Sequence, residues 1–337
     1  MELLILGLLG LAAGSFALFD NGDDPVETSD DLSGEAPDPT TFVTDGSNLI
    51  GTAEDDIFVL DQNASGPLET TIDSGDGDDI IDLSGWPDSD ASVSADVSGG
   101  AGNDQISGFS EGTISGGQGN DTITSELLSG TVHGDDGDDQ IEILSEASDI
   151  ALVFGGAGND TIDGLGSDNI RIHGGEGDDV LHTRGAPSSG AGYDISSNGG
   201  DGNDTLHHDI PYPPIKQFET TPVNLVGGSG EDTFEISFVN ESGSGNSADD
   251  DSNPLQETAI ALTDFEPGVD KLNINLGDIV EYDSLTAEME EVGELILTLS
   301  GSDDLPDQQF RITGAGLTLD EVNFFGRDVV LHTNVIA

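Results

Sequence analysis

Cysteine is missing from the 337-residue chain, so no disulfide can staple it. Basic residues are nearly missing too: six Lys and Arg stand against 69 Asp and Glu, a formal net charge of −63. Nucleic acid and anionic membrane surfaces are thereby excluded as partners, because nothing supplies the cationic contacts they need. Two metal-site signatures are also absent. There is no HExxH zinc-protease motif, and no DxDxDG loop with Glu at its twelfth position, which excludes EF-hands. A compact fold so charged repels itself. Divalent cations would relieve that repulsion, so folding is expected to be coupled to metal binding, with the metal taking the place of disulfides.

What is present is a repeat. From Gly99 the chain reads GGAGNDQIS, GFSEGTIS, GGQGNDTIT, SELLSGTVH and GDDGDDQIE. A glycine-rich turn ending in Asp, with an apolar residue two places later, recurs at intervals of 17 and 18 residues. Fixed-period self-similarity predicts a solenoid. The phase holds at nine places. Position six is Asp56, Asp79, Asp104, Asp121, Asp139, Asp160, Asp179, Asp204 and Asp232. Position eight is Phe58, Ile81, Ile106, Ile123, Ile141, Ile162, Leu181, Leu206 and Phe234. Gly/Asp-rich sequence is commonly a flexible acidic linker, but a linker has no reason to keep apolar residues in register.

Within GGQGNDTIT, Gly116, Gly117 and Gly119 permit a tight turn that exposes backbone carbonyls, and Asp121 adds a carboxylate beside them. Hard oxygen ligands on such a loop suit Ca²⁺ better than a softer transition metal. Ile123 alternates with Thr122 and Thr124, the period of a short half-buried strand. An apolar residue also stands two before most loops, at Val97, Ile114, Val132, Val153, Ile172 and Leu225. The expected fold is all-β: a parallel β-roll with a thin core between two sheets, calcium loops along one edge and a bare opposite edge.

These segments resemble the repeats-in-toxin (hemolysin-type) calcium-binding family across about residues 51–236. In that family each loop shares its ion with the equivalent loop one turn along, and the position-six Asp is the side-chain ligand. The resemblance therefore implies ligation by Gly99, Gly100, Gly102 and Asp104, then by Gly116, Gly117, Gly119 and Asp121. The next sets are Gly134, Gly137 and Asp139, then Gly155, Gly156, Gly158 and Asp160. After them come Gly174, Gly175, Gly177 and Asp179, then Gly199, Gly200, Gly202 and Asp204. Asp56, Asp79 and Asp232 complete the series. Up to about eight Ca²⁺ ions fit between nine loops and would offset about 16 charges. Three turns depart from the pattern: Glu54 replaces the fourth glycine, Ser74 the first and Asp135 the second. The Gly51 loop has the weakest ligand set. Insertions before Gly199 and Gly227 make ion sharing there less secure.

Taken in order, residues 3–19 form an apolar run spanning about 26 Å as a helix, marginally short for a bilayer. Glu2 replaces a basic n-region, while Ser15 and Ala17 offer a small-x-small cleavage pattern, so membrane anchor and cleavable signal stand level. Residues 20–48 read as an acidic linker, 49–237 as the roll, 238–257 as a polar linker and 258–337 as a β-rich cap. Residues 183–198 and 207–222 read as insertions. In the cap, AIALTDF, DKLNINL, ELILTLS, QFRITG and VNFF read as strands, and LTAEMEEVGEL as a short helix. LTDFEPGVDKLNIN resembles the segment that follows the repeats in serralysin-type exported proteins.

GFSEG matches a GxSxG nucleophile elbow, but the elbow needs a strand-to-helix turn, and Ser110 falls in a half-turn between loops. His182 and His207 occupy position nine of successive repeats, one turn apart on an outer sheet face. With His208 and Asp209 they supply transition-metal ligand types, although the intervening insertion favours solvated surface residues. The chain therefore reads as a non-catalytic, exported calcium-binding protein, bacterial, extracellular or at the cell surface, and monomeric. It resembles substrates of type I secretion machinery. The alternatives are a calcium-dependent secreted enzyme, or an adhesin, with the roll as carrier.

Overall fold

The computed structural model describes residues 39–44, 48–60, 68–84, 93–110, 112–127, 130–144, 151–165, 169–185, 195–212, 223–240, 257–277, 282–301, 308–326 and 330–332. Among them, the strands lie in a 12-stranded and a 14-stranded sheet, and along the roll successive strands alternate between the two, each pairing in parallel with the strand two earlier. Strand Thr122–Leu127 lies between Gln105–Ser110 and Gln140–Ile143, with Ile123 beside both Ile106 and Ile141. A parallel ladder in constant register stacks identical positions, so one apolar residue per half-turn builds a continuous seam. In the 12-stranded sheet the seam is the position-eight series from Phe58 to Phe234, all fully or nearly buried. The 14-stranded sheet answers with Ile72, Val97, Ile114, Val132, Val153, Ile172 and Leu225. Each such side chain is worth roughly 1.5–3 kcal/mol when fully buried. The one break in the second seam is Ser197, buried between Ile172 and Leu225.

Both ends of the seam are covered by the chain itself. The strand Thr40–Thr44 lies inside the segment read as linker, yet it pairs with Asp56–Leu60. TTFVT alternates β-formers, and Phe42 stacks on Phe58 with ring centroids 4.7 Å apart, closing the first turn. At the other end the five strands read in the cap all form. They extend the two existing sheets: Glu257–Leu262 and Lys271–Asn275 add one turn, and Gln308–Gly314 and Val322–Phe325 the next.

The short helix expected in LTAEMEEVGEL is not there. Strand Tyr282–Glu291 forms an antiparallel hairpin with Glu294–Gly301, turning at Gly293 with φ 91°. Leu285 and Ala287 alternate inward against Leu297 and Leu299, a period of two that overrides the helical preference of Ala, Glu and Met. Among the described residues the helical element is the 3-10 turn Leu319–Glu321.

The insertions are shorter than their sequence limits. Thr183 and Arg184 belong to strand Val180–Arg184, Ile195 opens strand Ile195–Asp201, and 207–212 lie in strand Thr205–Tyr212. The remaining insertion residues, 186–194 and 213–222, lie outside the described residues, as does the apolar run 3–19. No helix among the described residues is long and apolar enough to cross a membrane.

Candidate calcium rim

Every glycine-rich turn carries the chain from the 14-stranded to the 12-stranded sheet, so the turns form one rim. Their glycines do two different jobs. Gly117 and Gly119 have φ of 118° and 124°, and a Cβ on them would lie 2.1 Å from the Gly100 carbonyl oxygen and 1.9 Å from that of Gly102. They let one turn stack on the last. The first glycine instead makes a cradle. A Cβ on Gly116 would lie 2.1 Å from Asp121 Oδ2 and 2.8 Å from the carbonyl oxygen of Gly134, one turn on. At Gly99, Gly134, Gly155, Gly174 and Gly199 the same pair converges, the turn's own Asp Oδ2 at 2.1–2.4 Å and the next first glycine's carbonyl at 2.4–2.7 Å.

The aspartates form a ladder. The Oδ1 of Asp121 accepts the backbone N–H of Asp104 at 2.8 Å, and that of Asp139 accepts from Asp121 at 2.8 Å. The same bond recurs from Asp56 N–H to Asp79 at 2.7 Å through Asp204 N–H to Asp232 at 2.9 Å. The second oxygen has no such partner. Oδ2 of Asp79, Asp104, Asp121, Asp139, Asp160, Asp179 and Asp204 is buried and makes no hydrogen bond within the chain. A buried carboxylate oxygen without a partner is costly, and seven in a row mark a place built for cations. Burial, reinforced by neighbouring aspartates and offset in part by the ladder bond, pushes Asp104, Asp121, Asp160 and Asp204 up to about 6, and Asp139 and Asp179 up to about 7. The donor set, carboxylate plus backbone carbonyl and no nitrogen or sulfur, fits Ca²⁺.

The three irregular turns keep the stack, and the Gly51 and Ser74 turns change the cradle. Ser74 places a hydroxyl where the other turns have an open glycine, and it donates to the carbonyl of Gly99. In the Gly51 turn, Asp56 Oδ2 already accepts from the N–H and hydroxyl of Thr52, at 2.7 and 3.0 Å. Asp135, with φ 79°, is the non-glycine residue in left-handed backbone among those described, and its carboxylate accepts from the Ser115 hydroxyl. It also raises the charge facing Asp121 and Asp139. Asp135→Gly is therefore expected to stabilise the calcium-loaded roll by roughly 1 kcal/mol, the left-handed penalty less the added freedom of an unfolded glycine. Urea unfolding in saturating calcium measures it. The insertions leave the rim intact: the ladder bonds from Asp179 to Asp204 and from Asp204 to Asp232 are 2.8 and 2.9 Å across 25 and 28 residues.

Two features escaped the sequence reading. Position five carries a second ladder, running the other way: Asn103 N–H donates to Asp78 Oδ1 at 2.8 Å, and Asn120 N–H to Asn103 Oδ1 at 2.8 Å. The signal was the unbroken run of Asp or Asn there from Asp55 to Asn203. Asp264 and Asp270 close the rim. Asp264 accepts the N–H groups of Gly227 and Gly228 at 2.9 and 2.8 Å, and Asp270 Oδ1 takes the N–H of Asp232 at 3.1 Å. Asp270 stands two residues before buried Leu272, the repeat's own spacing, with Gly268 at position four but Phe265 and Glu266 where the first two glycines stand.

The remaining candidates separate. Ser110 ends strand Gln105–Ser110, beside Leu127 of the next strand, with no helix following it. The structure brings His182, His207 and Asp209 together on the outer face. His208 alternates inward, buried, with Nδ1 3.0 Å from the Thr183 hydroxyl. Burial pushes its pKa down to about 4.

A family model for the RTX calcium-binding nonapeptide repeat matches in four copies, at residues 96–110, 113–127 and 152–181. These segments contain the Gly99, Gly116, Gly155 and Gly174 turns, and RTX repeats of this kind bind calcium. No curated protein matches the chain.

Proposed function

We propose that this RTX calcium-binding β-roll protein leaves a bacterial cell unfolded, by a type I secretion route, and folds outside when Ca²⁺ fills its rim. It serves there in a non-catalytic structural or surface role. The position-six aspartates from Asp56 to Asp232 and the first-glycine carbonyls hold up to about eight ions, one between each pair of successive turns. Bound Ca²⁺ neutralises the carboxylates and gives their second oxygens a partner. The observation that carries the reading is the row of seven buried, unpartnered Oδ2 atoms. The lack of cysteine supports it, since calcium is then the staple that arrives with the extracellular medium.

Export before folding requires sites too weak to fill in the cytosol. The midpoint of calcium-induced folding, followed by circular dichroism at neutral pH, is expected at about 10⁻⁴–10⁻³ M, the range of extracellular modules. A midpoint below about 10⁻⁶ M, in the range of cytosolic calcium sensors, contradicts the export reading while leaving calcium binding intact.

A further inference from the structure

The outer face of the 12-stranded sheet carries a cluster of different chemistry from the rim. Strands Val180–Arg184 and Thr205–Tyr212 are neighbours, with His182 directly beside His207 and Arg184 beside Asp209. Leu181, Thr183, Leu206, His208 and Ile210 point inward and are buried, so His182, His207 and Asp209 share the outward side. The two imidazoles lie with ring centroids 4.2 Å apart. Asp209 reaches both: its Oδ1 is 3.1 Å from His207 Nε2 and its Oδ2 is 3.5 Å from His182 Nε2. The three candidate donor atoms all lie within 4.8 Å of one another.

Those separations match a shared ion. Ligands about 2.0–2.1 Å from a tetrahedral metal stand about 3.4 Å apart. The surroundings are also those of a prepared site. His182 Nε2 is buried and makes no hydrogen bond of ordinary geometry. On its far side, His207 turns Nδ1 to Glu235 Oε2 at 3.5 Å, and Asn273 in turn donates to Glu235 Oε1 at 3.2 Å. An outer carboxylate behind a ligating histidine fixes the ring and raises its basicity. The Ser237 hydroxyl, 3.0 Å from His207 Nε2, stands where a fourth ligand or an ordered water would complete the set.

We propose that His182, His207 and Asp209 form a single site for a borderline divalent transition metal of the Zn²⁺ class, positioned by Glu235 and chemically distinct from the calcium rim. Two imidazole nitrogens select against Ca²⁺ and Mg²⁺, which prefer oxygen, and favour Zn²⁺, Ni²⁺ or Cu²⁺. The bound metal clips two adjacent strands together at the point where insertions lengthen the connections between turns.

The test is a Co²⁺ titration of the untagged, full-length chain, kept in saturating Ca²⁺ so that the rim is blocked. The expected result is one Co²⁺ per chain with the visible absorption of a low-coordinate nitrogen–oxygen site, displaced by Zn²⁺. His182→Ala and His207→Ala each abolish that spectrum, and Glu235→Gln weakens binding about 10- to 100-fold. His133→Ala and His173→Ala leave it unchanged. Circular dichroism in Ca²⁺ confirms that each variant folds. If His207→Ala does not fold, His182→Gln provides the same comparison. Absence of Co²⁺ binding in the folded wild-type chain overturns the proposal. So does a spectrum with oxygen ligands only, or one that survives loss of either outward histidine.

Discussion

Asp121→Asn is expected to destabilise the roll in calcium and to leave it equally or more stable in chelator. The Asp121 side chain bonds two turns with different atoms. Oδ1 accepts the Asp104 N–H at 2.8 Å, and Oδ2 faces the cradle shared with the Gly134 carbonyl. An asparagine keeps the first bond and offers an N–H donor to that carbonyl, so the ion-free fold loses an unfavourable buried charge. The same change deletes a calcium ligand. At calcium one hundred times the site's dissociation constant, each lost ion removes about 2.7 kcal/mol, and twice that if both neighbouring ions go. Asp121→Ala, which also breaks the ladder bond, should destabilise both states. Urea unfolding in calcium, and in chelator at about pH 4.5 where the ion-free roll is expected to fold, distinguishes the cases. An equal shift for Asp121→Asn in both media would contradict the assignment of Oδ2 to an ion.

Acid is expected to substitute for calcium. Folded aspartates with pKa values of about 6 to 7, against an ordinary value of 3.8, bind more protons in the roll than in the unfolded chain between about pH 4 and 7. Stability of the ion-free roll therefore falls as pH rises through that window and is greatest near its acid end. His208 works in the opposite sense: its folded pKa of about 4, below 6.5, withdraws stability as pH falls. These six aspartates, with Asp79 also near 6 and Asp232 raised, outweigh His208 and the likewise depressed His173. In chelator, β content should rise as pH is lowered from about 7.5 to about 4.5. The gain should persist in about 1 M salt, where surface repulsion is screened to about 3 Å and only the buried carboxylates still respond. The same linkage requires calcium binding near neutrality to release protons. A chain whose β content in chelator is flat across this range would show that the rim carboxylates are not buried in the ion-free fold.

The roll was legible because its two strongest signals are covalently in step. An Asp at position six and an apolar residue at position eight survive every insertion, since excursions leave from the bare edge and the rim is stacked by bonds from each Asp backbone N–H to the next turn's Asp carboxylate. What the sequence obscured was local geometry that borrows other residue types. Asp270 does the work of a repeat aspartate from DFEPGVD, a turn that lacks the repeat's first two glycines. TAEMEE carries helix-forming residues, but its alternate positions meet Leu297 and Leu299 across a hairpin, and the tertiary pairing decides. Phe42 lies in an acidic stretch read as linker, because nothing before the fold is known marks it as the ring that covers Phe58. The histidine cluster was half visible: position nine placed His182 and His207 together, but only the strand alternation through Thr205–Tyr212 sends His208 inward and leaves Asp209 outside with them.

The most direct measurement is far-ultraviolet circular dichroism of the full chain at pH 7.5, in excess chelator and then in millimolar calcium. A rim of buried, unpartnered carboxylates predicts a largely unfolded spectrum in chelator and a cooperative rise to a β-rich spectrum with calcium. The same β-rich spectrum in both media would contradict it.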